Sequence, residues 1–203
     1  MRITGCIARG MFTYTNNNKP NWKSKCASVF FSPFKGNEHT RFGIAKEIVA
    51  KKNLETEFGK EFVLKDLGFL VCIKYPWLGC SPDAIVIENG EYILMECKSL
   101  KIGKSFEGLP FLRRCTFLKE GPVGHFVLKK NTTYNTQIQL GLFICNLRLG
   151  RLLLYNHKSK KNMYVDVKRD DEHIKELIRG LTRTYFLHCL KYLYDNKEKL
   201  YKL

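Results

Sequence analysis

The sequence is poor in acidic residues and has no long hydrophobic run. Of its 203 residues, 35 are Lys or Arg and only 19 are Asp or Glu, so the formal net charge is +16. No apolar stretch approaches the ~20 residues of a membrane-spanning helix, and the opening MRITGCIARGMF lacks the apolar segment of a secretory signal. These features argue against a membrane or secreted protein. They favour a polyanionic partner, nucleic acid above all, although solvated lysine-rich faces would give the same charge.

The eight cysteines lack the spacing of a zinc site or of a disulfide framework. No two of them form a C-x-x-C pair, and the five histidines have no ligand spacing relative to them. Several lie inside apolar runs such as FLVCI and LFICN, where a free cysteine behaves as a small hydrophobe. The sequence therefore predicts free thiols in a reducing, intracellular compartment, the nucleus or cytoplasm of a host cell.

The hydrophobic pattern predicts a single α/β domain over residues 1–203. Helical periodicity covers 37–53, 133–146 and a final stretch from a cap at Asp170 or Asp171 to about residue 197. Strand-like patterns cover 61–74, 79–98, 152–156 and 163–168, the last two joined by the basic turn 157–161. Residues 1–36 are mixed, and 99–130 read as a loop with one short helix. This order predicts a small mixed β-sheet flanked by helices.

A hairpin in the second strand region carries the candidate chemistry. Asn89-Gly90 joins two apolar runs, which is the strongest short-range hairpin signal. With a two-residue turn, Asp83 lies opposite Glu96, and Ser81 lies opposite Lys98. Like charges directly opposed on neighbouring strands are destabilising. The pair of carboxylates therefore indicates a bound cation.

The residues around this pair suit a hard divalent cation. The carboxylates of Asp83 and Glu96, with the backbone carbonyl of Cys97, are oxygen ligands of the kind that Mg²⁺ prefers, and Mn²⁺ is a second expectation. Lys98 lies on the same strand face as Glu96, where it can orient a water or stabilise developing negative charge. An Asp and an E-x-K triplet also occur on solvated strand faces without any function. The composition and the pairing together favour a phosphodiesterase site.

These segments resemble a known family. LGCSPDAIV followed by LMECKS resembles the core of PD-(D/E)XK nucleases, and in particular the YqaJ-like viral recombinase family that includes the lambda-type exonuclease. RITGC, FGIAKEIVAKK, TYNTQIQLGLFI and VKRDDEHIKEL resemble further family segments in the same order, over roughly residues 2–177. The chain departs from the usual pattern at Ala84, at Ser99-Leu100 and at Cys6, where the family has glycine, Cys-Pro and serine.

The resemblance implies a restriction-endonuclease-like core and a set of site residues. The implied metal ligands are Asp83, Glu96 and the carbonyl of Cys97, and the implied catalytic set is Asp83, Glu96, Lys98, Gln137 and Glu47. Ser81 matches a serine that contacts a substrate phosphate. Gln139, two positions from Gln137, diverges from it on a helix and is expected to be structural or on the duplex. Charge alone adds other phosphate-contact candidates, namely Lys51, Lys52, Arg113, Arg114, Lys129, Lys130 and 158–161.

The sequence therefore predicts a Mg²⁺-dependent deoxyribonuclease. The resemblance favours an exonuclease on double-stranded DNA in the recombination or replication of a virus or mobile element. Two alternatives stay open: a catalytically weak, domesticated DNA-binding module, and a structure-specific endonuclease on the same core. A short or truncated N-terminal arm is expected because the chain begins at the RITGC motif. A homo-oligomer is also among the expectations, although no interface is identifiable.

Overall fold

The computed structural model describes residues 1–32, 36, 38–58, 63–100 and 108–200. The helices in these ranges are α1 (Gly5–Phe12), α2 (Trp22–Phe30), α3 (Glu38–Phe58), α4 (Leu109–Arg113), α5 (Thr133–Ile144), α6 (Asp171–Thr184), α7 (Leu190–Asp195) and α8 (Lys197–Leu200). The strands are β1 (Ile3–Thr4), β2 (Val63–Lys65), β3 (Leu70–Val71), β4 (Leu78–Cys80), β5 (Ala84–Glu88), β6 (Glu91–Leu100), β7 (Leu118–Glu120), β8 (Phe126–Leu128), β9 (Leu149–Asn156) and β10 (Lys161–Lys168).

A five-stranded mixed sheet forms the centre of the fold. Its strand order is β10-β9-β6-β5-β2. The β6–β9 pair is parallel, and the other three pairs are antiparallel. A smaller sheet has the order β1-β4-β3, and β7 and β8 form a separate two-stranded sheet. The predicted mixed sheet flanked by helices is confirmed.

Helices cover both faces of the central sheet because its middle strands are apolar on both sides. On one face, Ala50 and Leu54 of α3 pack with a cluster that includes Val86 and Ile93. On the other, Ile138 of α5 packs in a cluster with Leu94 and further residues of β9 and β10. Helices α1 and α6 form a further layer against α5. The catalytic candidates on β6 therefore lie in the central sheet, between α3 and α5.

The β5–β6 hairpin has the predicted turn. Asn89 (φ 51°) and Gly90 (φ 79°) both have positive φ, as a type I′ turn requires. The register runs from the Glu88–Glu91 pair at the turn to the Ala84–Met95 pair. The ladder ends there, however, so the prediction that Ser81 pairs with Lys98 is wrong. Pro82 has no N–H to continue the ladder, and Ser81 instead follows β4 of the smaller sheet.

Several element boundaries differ from the predicted ones. Helix α3 extends beyond the predicted 37–53, and strands β9 and β10 extend beyond 152–156 and 163–168. Residues 1–32 contain α1 and α2, which the mixed pattern did not reveal, and 108–130 contain the β7–β8 hairpin besides the expected short helix. The rest of the predicted loop, 101–107, lies outside the described residues. Within the described ranges, no helix is both long and apolar enough to cross a bilayer.

Candidate active site

Two carboxylates meet where the β5–β6 ladder ends, away from the turn. Glu96 is on β6 and is 2% exposed. Asp83 directly precedes β5, and its Oδ2 accepts a hydrogen bond of 2.6 Å from the backbone N–H of Cys97. Asp83 is therefore held against the strand that carries Glu96, one residue beyond the last paired position. The predicted proximity of Asp83 and Glu96 is present, although it depends on this side-chain bond rather than on a ladder pair.

Lys98 and Gln137 both donate to Glu96. The Lys98 ammonium and the Gln137 amide donate to the same oxygen, Glu96 Oε1, the amide at 2.6 Å. Helix α5 begins at the N-cap Thr132, whose hydroxyl accepts from the N–H of Asn135. Tyr134 lies three residues before Gln137 on the same helix face, and its ring centroid is 5.6 Å from Lys98 Nζ. Helix α5 therefore supplies a polar and an aromatic neighbour to the strand residues.

Burial and neighbouring charges shift the pKa values of Glu96, Asp83 and Lys98. Burial raises the pKa of Glu96 to about 7, although the positive charge of Lys98 opposes the rise. Burial also raises the pKa of Asp83, although the positive charge of Lys98 again opposes the rise. Burial alone would lower the pKa of Lys98, but the charges of Glu96 and Asp83 outweigh it and raise that pKa. The site thus holds a protonated lysine beside two carboxyls that are costly to ionise without a cation.

Glu47 approaches the same site from the other face of the sheet. It lies on α3 and forms a 2.9 Å ion pair with Lys51, one helical turn later. Lys51 also contacts Asp66 at 2.9 Å and donates to the backbone carbonyl of Asp83. These contacts outweigh burial and raise the pKa of Lys51. Glu47 is therefore linked to Asp83 through Lys51.

The donor set at this position fits Mg²⁺. In the described parts of the chain, no three His, Cys, Asp or Glu side chains converge on one point. Mg²⁺, however, is commonly held by one or two carboxylates and keeps water or substrate oxygens in its other positions. Asp83, Glu96 and the carbonyl of Cys97 supply oxygen donors of this kind. The Cys97 side chain packs in the apolar cluster on the α3 face, whereas Glu96 faces Gln137 of α5, so the thiol points away from the Glu96 carboxylate.

A small cavity opens beside Glu96. Its volume is about 130 Å³. It is lined by residues from α1, β4, β6 and α5 and from the segments next to them, namely Thr4, Gly5, Cys6, Phe69, Cys80, Ser81, Pro82, Leu94, Glu96, Gln137 and Gly141. Ser81 thus lies near the carboxylate site although it does not pair with Lys98. Cys6, the residue that replaces the family serine, is exposed at the same cavity.

The two predicted phosphate-binding lysines have other contacts. Lys129 Nζ donates to the backbone carbonyl of Thr116 at 2.6 Å, and Lys130 forms a 2.9 Å ion pair with Asp170. Neither residue lines the cavity beside Glu96. The structure therefore does not bring them together with the carboxylates, and their contact with DNA stays a prediction.

Sequence reasoning missed part of the surroundings of this site. It treated Lys51 as a surface phosphate contact, whereas the side chain binds Glu47 and the Asp83 carbonyl. The i, i+4 spacing from Glu47 was the available signal. Tyr134 was not singled out within the predicted helix 133–146, although its spacing of three residues from Gln137 was an available signal. No pattern marks Phe69, because it reaches the cavity through the smaller sheet.

Comparisons with known proteins identify the family and the fold of this chain. The profile of the YqaJ-like viral recombinase domain matches residues 2–194. The alkaline exonuclease LHK-Exo from Laribacter hongkongensis has a similar structure, with a TM-score of 0.68, 14% identity and coverage of 100% of this chain and 95% of that one. LHK-Exo in complex with dAMP matches equally well, at 15% identity. A phage-related exonuclease from Haemophilus somnus 129PT has a TM-score of 0.64, 12% identity and coverage of 98% and 96%. No curated protein sequence matches. At these identities the structural likeness establishes the fold.

Proposed function

Because this chain belongs to the YqaJ-like viral recombinase domain family, we propose that it is a Mg²⁺-dependent deoxyribonuclease and, more narrowly, an exonuclease. The observation that carries the proposal is the meeting of Asp83, Glu96 and Lys98 at one end of the β5–β6 hairpin. The similarity in fold between this chain and proteins described as exonucleases supports the narrower proposal of an exonuclease. Mn²⁺ is expected to replace Mg²⁺, since both bind oxygen ligands.

Each residue of the site has a distinct task in this proposal. Asp83, Glu96 and the Cys97 carbonyl would hold the metal ion. When bound, such an ion stabilises charge on the phosphodiester and lowers the pKa of a water. Lys98 stays protonated and presents a positive charge where negative charge develops on the phosphate. Gln137 fixes the orientation of the Glu96 carboxylate, and Lys51 fixes Glu47 and the backbone of Asp83. Ser81, at the cavity rim, is the candidate for a substrate phosphate.

A cleavage assay on two DNA forms tests the proposal. Linear and covalently closed circular duplexes are incubated with the protein, with Mg²⁺ or with a chelator. We expect Mg²⁺-dependent degradation of the linear form only. Lys98→Ala is expected to lower the rate by about 100- to 1,000-fold, the typical cost of losing a group that stabilises developing charge. Asp83→Asn is expected to lower the rate and also to abolish the rise in melting temperature that Mg²⁺ causes by binding the folded state.

The controls separate the alternatives. Lys175→Ala removes a lysine from an exposed ion pair with Glu172 on α6, and it is expected to leave cleavage unchanged. Cutting of closed circles would contradict the exonuclease proposal and favour an endonuclease on the same core. DNA binding without any Mg²⁺-dependent cleavage would contradict the enzyme proposal and favour a catalytically weak DNA-binding module.

The proposal extends to the biological setting. We take double-stranded DNA of a virus or mobile element as the substrate, on the strength of the family, and the inside of a host cell as the compartment. All eight cysteines are free thiols, which suits a reducing compartment.

We also propose that the protein functions as a homo-oligomer. Its support is the group of exposed apolar side chains Phe186, Leu187, Leu190 and Tyr194 near the C-terminal helices. A monomer in light scattering at working concentration would overturn this last part.

A further inference from the structure

Phe69 is a large aromatic residue exposed at the candidate active site. It lines the cavity that also contains Glu96, Gln137 and Ser81. Its side chain is 49% exposed, whereas Leu94, another apolar residue of the same lining, is 1% exposed. Phe69 therefore offers an accessible apolar surface within the site where the phosphodiester is proposed to bind.

The position of the Phe69 ring depends on the smaller sheet. The ring lies over Gly79 of β4, two residues before Ser81, and a Cβ on Gly79 would approach its Cζ to 2.3 Å. The same Cβ would lie 3.0 Å from the carbonyl oxygen of Leu70. A side chain at position 79 would therefore displace the ring or loosen the β3–β4 approach. The ring is thereby held against the strand that leads into Ser81 and Asp83.

The cavity places Phe69 next to the proposed phosphate position. Its lining includes Ser81, the candidate phosphate contact, and the carboxylate Glu96 together with Phe69. A nucleotide whose phosphate binds beside Ser81 and Glu96 can therefore lay its base on the exposed ring of Phe69.

We propose that Phe69 is the nucleoside-binding wall of this active site, on which the base next to the scissile phosphate stacks. Every base has a π-face, so stacking on an aromatic ring is tolerant of sequence. A base in the interior of a duplex is already stacked on both sides, whereas an unpaired base at a DNA end is free to lie on the ring. The ligand class is therefore an unpaired terminal nucleotide. The inference rests on the proposed nuclease function and deepens it.

A fluorescent DNA end tests the inference independently of cleavage. The probe is a linear duplex of about 20 base pairs with 2-aminopurine unpaired at one end, the 5′ end in one probe and the 3′ end in another. Binding is measured in chelator, so that nothing is cut. We expect the fluorescence of at least one probe to change on binding to the wild-type protein, because 2-aminopurine responds to stacking. A duplex with 2-aminopurine at its centre is expected to show no change.

Variants of Phe69 give the decisive comparison. Phe69→Ala is expected to weaken binding of the responsive end probe about tenfold and to abolish its fluorescence change, as the loss of one base–aromatic stack does. Phe69→Trp keeps a ring at this position and is expected to retain both. Tyr92→Ala is the matched control, because Tyr92 is also a half-exposed aromatic residue (56%) but does not line the cavity. Melting curves identify any variant that is not folded.

The outcomes separate the inference from the nuclease proposal. If the wild-type protein cuts linear DNA and Phe69→Ala binds and cuts equally well, the stacking role is wrong and the nuclease stands. An equal loss in Tyr92→Ala would also overturn the stacking role. If the end probe responds as expected but Mg²⁺ produces no cleavage, the nuclease proposal is wrong and the nucleoside-binding role of Phe69 stands.

Discussion

Gln137 and Gln139 are two residues apart on α5, and their side chains have different partners. Gln137 donates to Glu96 Oε1 at 2.6 Å. Gln139 is buried, donates to the carbonyl of Lys168 at 2.8 Å and accepts from the N–H of Asp170 at 2.9 Å. One amide thus orients a catalytic candidate, and the other fixes the backbone between β10 and α6.

Alanine substitutions of the two glutamines are therefore expected to have opposite phenotypes. Gln137→Ala is expected to lower the cleavage rate or the Mg²⁺ affinity by about 10- to 100-fold, the usual effect of losing a group that orients a metal ligand. Its stability should change little. Gln139→Ala is expected to lower the free energy of unfolding by about 2 kcal/mol, because two backbone groups lose their partner, while the folded fraction keeps its activity. Urea denaturation and cleavage rates measure both, and identical phenotypes would contradict these roles.

The hairpin residues of the site were predictable from the sequence because their register follows from counting positions outward from the turn. Asp83, Glu96 and Lys98 follow from the turn at Asn89-Gly90 and from the alternation of strand side chains. Glu47 and Gln137 lie on separate helices, so they were assigned only through the resemblance to a family. The bond from Lys51 to the Asp83 carbonyl spans 32 residues and depends on how α3 packs on the sheet. No local pattern predicts such a contact.

At the scale of elements, the β5–β6 turn holds the register on which the site depends. Gly90 has φ +79°, whereas Gly68 does not lie in this left-handed region, and a Cβ added at either glycine would meet no heavy atom within 4 Å. Gly90→Ala is therefore expected to lower the free energy of unfolding by about 1 kcal/mol, because alanine is strained at positive φ. Gly68→Ala is the matched control and is expected to be neutral or slightly stabilising. Equal effects in thermal unfolding would contradict a conformational role for Gly90.

Arg151 connects three strands of the central sheet. It lies on β9 and is 4% exposed. Its Nε contacts Asp166 on β10 at 2.7 Å, and an Nη contacts Glu88 on β5 at 3.1 Å, across the intervening β6. These carboxylates outweigh burial and raise the pKa of the guanidinium. The network therefore closes the α3 face of the sheet near the hairpin turn.

Removal of this guanidinium is expected to be costly. Arg151→Ala should lower the free energy of unfolding by about 3 kcal/mol, the lower end for breaking a buried ion pair, because Asp166 and Glu88 retain some access to water. Lys175→Ala, which breaks the exposed pair with Glu172, should have no measurable effect. Urea unfolding of both variants gives the comparison, and a neutral Arg151→Ala would show that the network contributes little.

The elements that sequence reasoning missed are short. Helix α1 buries Gly5, Ala8 and Met11, so two of its three core contacts come from small residues that add little to a hydrophobic stripe. Strands β7 and β8 have three residues each, too few for alternation to be recognised. The longer elements α5, α6, β9 and β10 were found, with errors mainly at their ends. Tertiary packing, rather than local periodicity, therefore determines the N-terminal part.

At the scale of the whole molecule, both ends of the chain enter one core. Ile3 and Trp77 lie in the same buried cluster as Leu177 and Leu193. This packing supports our proposal of a single domain. It also places the RITGC segment beside α5 and the cavity.

The net charge of +16 has consequences for DNA affinity that the fold alone does not give. Part of this charge is neutralised within the protein, for example where Arg113 pairs with Glu120 and Lys191 pairs with Asp195. Basic side chains that contact phosphate displace counterions from DNA. If about six of them contact phosphates, the affinity for duplex DNA should fall about a thousandfold between ~50 and ~200 mM salt.

This salt dependence also tests individual lysines. Each lost phosphate contact lowers the slope of log affinity against log salt by about 0.9. Lys129→Ala and Lys130→Ala should each do so if their ammonium groups leave Thr116 and Asp170 for phosphate on binding. Lys175→Ala is the control and should leave the slope unchanged, because Lys175 is not among the predicted phosphate-contact residues and pairs with Glu172 at 2.6 Å. Anisotropy titrations at several salt concentrations measure these slopes. If the affinity of the wild-type protein for DNA does not change with salt concentration, the basic surface does not bind DNA through phosphates, since counterion release accompanies any such binding.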